Sequence, residues 1–320
     1  MKIPLSLSIY EHAAKVIGRS PWDVSRSGAL MLEAHSRAYE LYRHSPVVIG
    51  IDIYNTEAEA YGCVIEPCKD NTIPAIHASL FASIDETRAL TPFNPVKDGR
   101  LALVVNVARD FKARFPEADV RVPVSGPFSL AQSLLGMETL MIAAAMEPDA
   151  TREFLARLIP GQIAFTQYIK DNGLSVAFFE SGAAPPLLSP DQFRDIELPV
   201  LKEIMRGVAS ILGNSVPCII GGNTAPIVPH MVATGTNFVI CPAETNREEF
   251  LAAIKPFPGV KVRVNMKTQT YSYGTKDDIK REIDEILELA QRHNGLLLGT
   301  GAIPYETPEE NILFIKEYVD

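Results

Sequence analysis

From residue 174 to the C-terminus the chain repeats one unit five times, a short apolar run followed by a longer amphipathic stretch. No other feature constrains the fold as much. Strands joined by helical crossovers must run parallel, and their sheet must be covered by helices. Strands are predicted at 174–179, 216–220, 238–241, 260–264 and 296–298. Ser189-Pro190-Asp191 opens the first of the helices between them, with Ser as N-cap and Pro at the first helical position. Helices follow at 226–233, 247–254 and 277–292, and Thr307-Pro308-Glu309-Glu310 starts the last with the same cap-then-proline signal.

The first half is less regular. Residues 47–53 read as a buried strand, apolar on both faces apart from Asp52, and 119–124 as another that leads into a helix near 128–135. Between them 63–90 is turn-rich and reads as a hairpin or an irregular strand. The total is seven or eight strands, close to a closed ring, so a (β/α)8 TIM-type barrel is expected. No internal repeat or linker interrupts it, which predicts a single domain over 1–320. A doubly wound open sheet is the competing architecture. It commonly binds nucleotide through a glycine-rich first turn, and neither Gly-x-Gly-x-x-Gly nor Gly-x-x-x-x-Gly-Lys-Ser/Thr occurs.

Composition narrows the function classes. The chain has 320 residues, 47% of them hydrophobic, enough for a large core. Its 30 basic against 39 acidic residues argue against a nucleic-acid surface, which needs clustered Lys and Arg. No stretch approaches the 18 or more apolar residues of a membrane span, and the run 140–146 fits a buried helix. Residues 1–8 lack the pattern of a signal peptide, so a cytoplasmic enzyme with a small-molecule substrate is expected, with no nucleic acid and no membrane as partners. Cys63, Cys68, Cys218 and Cys241 form no Cys-x-x-Cys pair and read as free thiols.

In a βα barrel the reactive groups sit at the C-terminal ends of the strands. That rule selects Asp52, Tyr54 and Asn55, with Glu57 and Glu59 beyond; then Ser125-Gly126, Glu180-Ser181, Asn223-Thr224, Cys241, Asn265 and Thr300. A carboxylate inside an apolar strand costs several kcal/mol unless it is paired. Asp52 is therefore either a substrate-binding or proton-handling group or half of an internal ion pair, with Arg121 or Arg263 as partner. Glu180 also emerges from an apolar strand, as general acid or base, metal ligand or structural partner. His12 lies near a helix start. His230 falls inside a helix, and His35, His44, His77 and His293 have no motif around them. Cys218 and Cys241 lie on consecutive strands, where their thiols are neighbours or simply core.

Several stretches together resemble the uroporphyrinogen decarboxylase superfamily. Gly50-Ile51-Asp52-Ile53 with Ala60-Tyr61-Gly62 looks like its Ser-Asp-Ile strand and following glycine. Ser125-Gly126-Pro127-Phe128-Ser129-Leu130-Ala131 resembles its Gly-x-Pro-aromatic turn, and Leu188-Ser189-Pro190-Asp191-Gln192-Phe193 its Ser-Pro helix start. Gly222-Asn223-Thr224-Ala225-Pro226-Ile227 is similar to a loop of the methyltransferase branch. Gly299-Thr300-Gly301-Ala302-Ile303-Pro304 with Thr307-Pro308-Glu309-Glu310-Asn311 looks like the closing signature.

The resemblance implies a barrel and one of two chemistries. One is cofactor-free decarboxylation of tetrapyrrole acetate groups; the other is methyl transfer between a corrinoid protein and a thiol on zinc. Departures are informative. The decarboxylase's N-terminal arginines have no counterpart in 6–16, its tyrosine falls on Ser133, and its closing histidine falls on Thr300. The methyltransferase zinc ligands fall on Ile219, Gly221 and Gly301, with Cys218 one residue off. The residues name no certain cofactor. The resemblance implies zinc, for which Glu180, Cys218, Cys241 and His12 are the available ligands, and a corrinoid on a partner protein. The expected function is methyl transfer with a corrinoid protein or folate. Asp52 and Glu180 would act in catalysis, and His12, Tyr54, Asn55, Phe128, Asn223 and Thr300 would bind substrate. The alternatives are a decarboxylase of a tetrapyrrole or smaller acid, in which Asp52 stabilises a cationic intermediate, and a non-catalytic corrinoid or tetrapyrrole binder.

Overall fold

A computed structural model describes residues 3–319. Its parallel strands are β1 (Leu5–Ser8), β2 (Val47–Val48), β3 (Val120–Ser125), β4 (Ser175–Phe179), β5 (the bridge residues Cys218 and Ile219), β6 (Phe238–Cys241), β7 (Lys261–Met266) and β8 (Leu296–Ala302). Hydrogen-bonded pairing runs unbroken from β2 through β3 and β4, across β5, to β6, β7, β8 and back to β1. Side chains from β1, β2, β3, β4, β5 and β7 line one internal cavity of about 30 Å3 beneath Tyr10. The strands therefore surround a common axis, and the fold is a (β/α)8 barrel.

The repeat in the second half is realised closely. β6 and the helix Arg247–Ile254 occupy the predicted residues. The helix predicted at 277–292 spans Lys276–Ala290, opened by a Thr275–Asp278 capping box. At Ser189 the predicted cap is a full capping box with Gln192. Other elements differ for local reasons. The strand predicted at 47–53 stops at Val48 because Gly50 adopts φ +147°, and its N–H donates to the ring of His35 instead of a neighbouring strand. The segment 216–220 keeps only the bridges of Cys218 and Ile219. The helix predicted at 226–233 begins as a 3-10 turn, Ala225–Ile227, before the short helix Val228–Val232. β1, whose Leu-Ser-Leu-Ser alternation is four residues long, is the barrel strand missing from the prediction. The turn-rich segment supplies a hairpin outside the barrel, Ile65–Glu66 with Ala75–Ile76.

The run 140–146 is buried on one face only. In the helix Met137–Met146, Leu140, Ala143 and Ala144 are buried while Ile142 and Met146 are exposed. Among the described residues no single helix is long and apolar enough to cross a membrane.

Candidate functional site

The chain leaves β1 at Ser8 and runs straight into Tyr10 and Glu11; it leaves β2 at Gly50 and turns through Asp52, Ile53, Tyr54 and Asn55. Both turns open on the C-terminal mouth of the barrel. A cavity of about 320 Å3 there is also lined by Phe179 at the end of β4 and Ser181 after it, Ile219 of β5 and Gly221 after it, Glu244 after β6, Arg263 and Asn265 of β7, and Gly301 of β8. The size suits one small molecule. Tyr10 and Tyr54 flank the ring of Phe179 edge-on, with centroids 6.0 and 6.1 Å away. The Tyr54 hydroxyl is hydrogen-bonded to the Ser181 hydroxyl.

Asp52 belongs to the wall of this cavity, but its side chain is fully buried and held from behind. Both carboxylate oxygens accept from the Arg100 guanidinium, one at 2.6 Å, and Asn55 Nδ2 donates to Oδ2 at 3.2 Å. Arg100 also donates through Nε to Glu59 at 2.6 Å, and Glu59 in turn pairs with Arg26. The ion-pair reading of Asp52 therefore holds in kind, with Arg100 as partner in place of Arg121 or Arg263. Arg121 instead pairs with Asp119.

Arg263 has no carboxylate partner among the described residues, although it is only 8% exposed. Its Nε donates to Asn265 Oδ1 at 3.1 Å, and Nη1 reaches the Ser6 and Ser8 hydroxyls only at 3.5 Å. Glu11 is 7% exposed at the rim, and its Oε2 is buried with no hydrogen-bond partner. Burial pushes its carboxyl up to about 7, with the Glu306 charge adding to the rise.

Other predicted site residues face elsewhere. Glu180 leaves the inner wall and turns into the helix layer. Its carboxylate accepts from the N–H groups of Phe128 (3.1 Å) and Ser129 (2.7 Å) and from the Ser129 hydroxyl (2.8 Å). It caps the helix Pro127–Leu135 rather than facing substrate. Burial raises it to about 7 all the same, and Glu197 beside it is raised further by burial and by the charge of Glu180. Phe128 is fully buried in that helix. His12 is a core histidine whose ring nitrogens meet the Tyr42 hydroxyl at 2.9 Å and the Pro304 carbonyl at 3.2 Å. Thr300 Oγ1 accepts from the Ser8 N–H at 3.1 Å and so fastens β1 to β8. Asn223 lies just past the wall residues Gly221 and Gly222, its N–H donating to the Pro185 carbonyl.

The metal reading of Glu180, Cys218 and Cys241 does not fit the geometry. No three His, Cys, Asp or Glu side chains come together as a ligand set among the described residues. Burial pushes both thiols upward, Cys241 to about 12, so neither favours the thiolate that a metal needs. Ile219, Gly221 and Gly301, where the methyltransferase branch would carry its zinc ligands, do converge on the mouth cavity, yet they bring no ligand atom.

Sequence reasoning missed Tyr10 and Glu11. Once Leu5–Ser8 is recognised as a strand, the strand-end rule selects both. Arg263 is visible as a charge inside a strand, where the ion-pair reading of Asp52 offers it, with Arg121, as a partner.

The family model for uroporphyrinogen decarboxylase (URO-D) matches residues 2–320. A uroporphyrinogen decarboxylase of Parasynechococcus marenigrum is 25% identical over 237 residues, 72% of this chain and 65% of that protein. The match thus spans less than two thirds of that relative's own length. The methylcobamide:CoM methyltransferase MtaA of Methanosarcina barkeri is 24% identical over 155 residues, covering 48% of this chain and 45% of it. Among solved structures, a methyltransferase from Methanosarcina mazei superposes with a TM-score of 0.85, covering 100% of this chain and 94% of its own at 21% identity, a likeness of fold.

Proposed function

Because the chain belongs to the uroporphyrinogen decarboxylase family, we propose that it is a methyltransferase-type enzyme of that family. It would move a methyl group from a corrinoid protein or folate to a small acceptor held in the barrel mouth, without a zinc thiolate. One observation carries this reading. The positions matching the branch's zinc ligands line the same cavity as Glu11, whose Oε2 is buried beside it with no hydrogen-bond partner. The place of reaction is kept and the means of activating the acceptor is changed.

A bound methyl donor supplies an electrophilic methyl group. The remaining work falls to this chain. A cavity of about 320 Å3 admits a small acceptor but not a corrin ring, so the donor meets the acceptor from outside. Glu11 accepts the acceptor's proton as the new bond to carbon forms, while the electrons of the broken bond stay with the donor. A carboxyl group held at about 7 is matched to that task near neutral pH. Tyr10, Phe179 and Tyr54 wall the acceptor away from water.

Decarboxylation of a small acid is the second reading, favoured by Arg263 at the floor of the mouth with no carboxylate partner among the described residues, and with Glu11 returning a proton to carbon after carbon dioxide leaves. Asp52 is poorly placed to stabilise a pyrrole cation, since Arg100 already occupies both its oxygens. Incubation with methylcobalamin and a panel of small acceptors separates these readings. Loss of the methyl-cobalt absorbance with formation of methylated acceptor supports methyl transfer. Carbon dioxide release supports the second reading, and ligand binding with neither product leaves a binder. Absence of methyl transfer from methylcobalamin, a methylated corrinoid protein and methyl-folate overturns the first.

A further inference from the structure

We infer that the mouth takes a small monocarboxylate whose carboxylate seats on Arg263. The inference rests on the proposed reading only in using the same cavity; it concerns what is bound, not what is done to it. Burial pulls the Arg263 guanidinium below its usual range, yet an arginine starts so high that it remains a cation near neutral pH. Burying a cation without a partner is costly, and natural proteins normally supply a carboxylate or backbone carbonyls. Here the surroundings supply neither. Its contacts are the Asn265 amide oxygen at 3.1 Å and two hydroxyls at the outer limit of hydrogen bonding. The titratable groups acting on it are the phenols of Tyr10, Tyr54 and Tyr271, which are neutral near pH 7.

The guanidinium is also deliberately accommodated. Arg263 lines both the mouth cavity and the small cavity below it, so it forms the floor of the mouth. Its stem lies over Gly299 of the neighbouring strand, where any side chain would collide with it. Tyr10 lines the same space with a hydroxyl able to donate to a second carboxylate oxygen, while the Ser8 hydroxyl already donates to the Thr300 carbonyl. A single cation balances one negative charge. Glu11 and Glu244 line the same cavity, so a second negative charge on the ligand meets repulsion. A cationic or neutral outer end is favoured for the same reason.

Calorimetric titration of the full chain with butyrate, butyramide, γ-aminobutyrate and succinate tests this without any turnover. Butyrate and γ-aminobutyrate are expected to bind at least about tenfold more tightly than butyramide or succinate, since a charge-assisted hydrogen bond is lost or a repulsion gained. Arg263→Met is expected to abolish the carboxylate preference and Arg263→Lys to retain part of it. Equal binding of butyrate and butyramide by the wild-type protein overturns the inference, whether or not the variants fold. So does an absence of carboxylate binding up to about 50 mM, well past millimolar affinity. Carboxylate binding without methyl transfer would remove the proposed reaction and keep the ligand class. Methyl transfer to neutral acceptors, undiminished in Arg263→Met, would do the reverse.

Discussion

The aliphatic stem of Arg263 lies across the bare α-carbon of Gly299, so closely that a Cβ at 299 would stand 2.5 Å from both Cγ and Cδ of the arginine. The obstacle is a flexible side chain rather than backbone. Gly299→Ala should therefore move the guanidinium and leave β8 in place. The expected result is a carboxylate affinity about tenfold weaker, with stability lowered by only about 1 kcal/mol. Calorimetry and urea unfolding on the same variant check the two halves; unchanged affinity would mean the arginine has another way to reach the cavity.

Glu11 is the group whose ionisation should set the pH dependence of turnover. As a base it works when ionised, and burial holds its carboxyl at about 7. The rate should rise as pH increases through about 7 and then level off. Glu11→Gln should lower kcat by about 10^2- to 10^4-fold and flatten that rise, with KM little changed. A Glu11→Gln enzyme that keeps the wild-type pH profile assigns the proton to another group.

How much of this was readable in the chain depended on the length of each signal. The helix Arg247–Ile254 and its strand Phe238–Cys241 sit where the pattern put them, because a capped helix after a β-branched strand is a long, redundant signal. β1 carries the signal in four residues, too few for periodicity to stand out, and its loss hid Glu11. Glu180 illustrates the other limit. Its strand-end position is legible in the sequence, but alternation along a strand decides which face a side chain takes. Phe179 and Ser181 line the mouth while Glu180 turns to the helix layer. The role of Arg100 was out of reach, since it pairs with Asp52 across 48 residues and no local pattern announces that.

Asp52 separates a structural from a catalytic carboxylate by experiment. Its side chain is fully buried and bonded to Arg100, itself 7% exposed. Asp52→Asn removes the charge facing a buried guanidinium and should cost about 3–5 kcal/mol of stability. The urea midpoint should fall with an unchanged slope. Near-wild-type stability with lost turnover would instead make Asp52 a group acting on substrate.

Gly126 tests the capping role of Glu180. A Cβ there would lie 1.8 Å from Glu180 Oε2, and the carboxylate cannot step aside without releasing the N–H groups of Phe128 and Ser129. Gly126→Ala should destabilise the fold by roughly 2–4 kcal/mol through strain and a lost helix cap. Glu180→Gln, which keeps shape and acceptor, should cost less and leave turnover nearly intact. A large loss of kcat in a stable Glu180→Gln protein would restore its catalytic role.

His44 offers a stabilising change whose size depends on pH. Its ring is 4% exposed, packs edge-on against Tyr39 at 6.0 Å, and neither nitrogen has a hydrogen-bond partner. Burial holds it neutral, with its pKa lowered to about 3, against an unfolded value near 6.5. Between those values the unfolded chain binds a proton that the folded one refuses, so this group lowers stability as pH falls, by about 1.4 kcal/mol per pH unit. His12 and His35, lowered to about 4, act in the same sense. Glu11, Glu57 and Glu180, raised to about 7, act oppositely: the unfolded chain holds their charge where the folded one does not, so stability falls as pH rises from about 4.5 to 7. Glu197, raised further still, joins the carboxyls, so four of them oppose three histidines and wild-type stability should fall modestly as pH rises from about 4.5 to 6.5. His44→Leu removes one opposing group and one unsatisfied ring. It should stabilise the protein by about 1–3 kcal/mol at pH 7.5, and its advantage over wild type should widen steadily as pH drops to 5. An advantage that stays constant across that range would mean the ring is not held neutral in the fold.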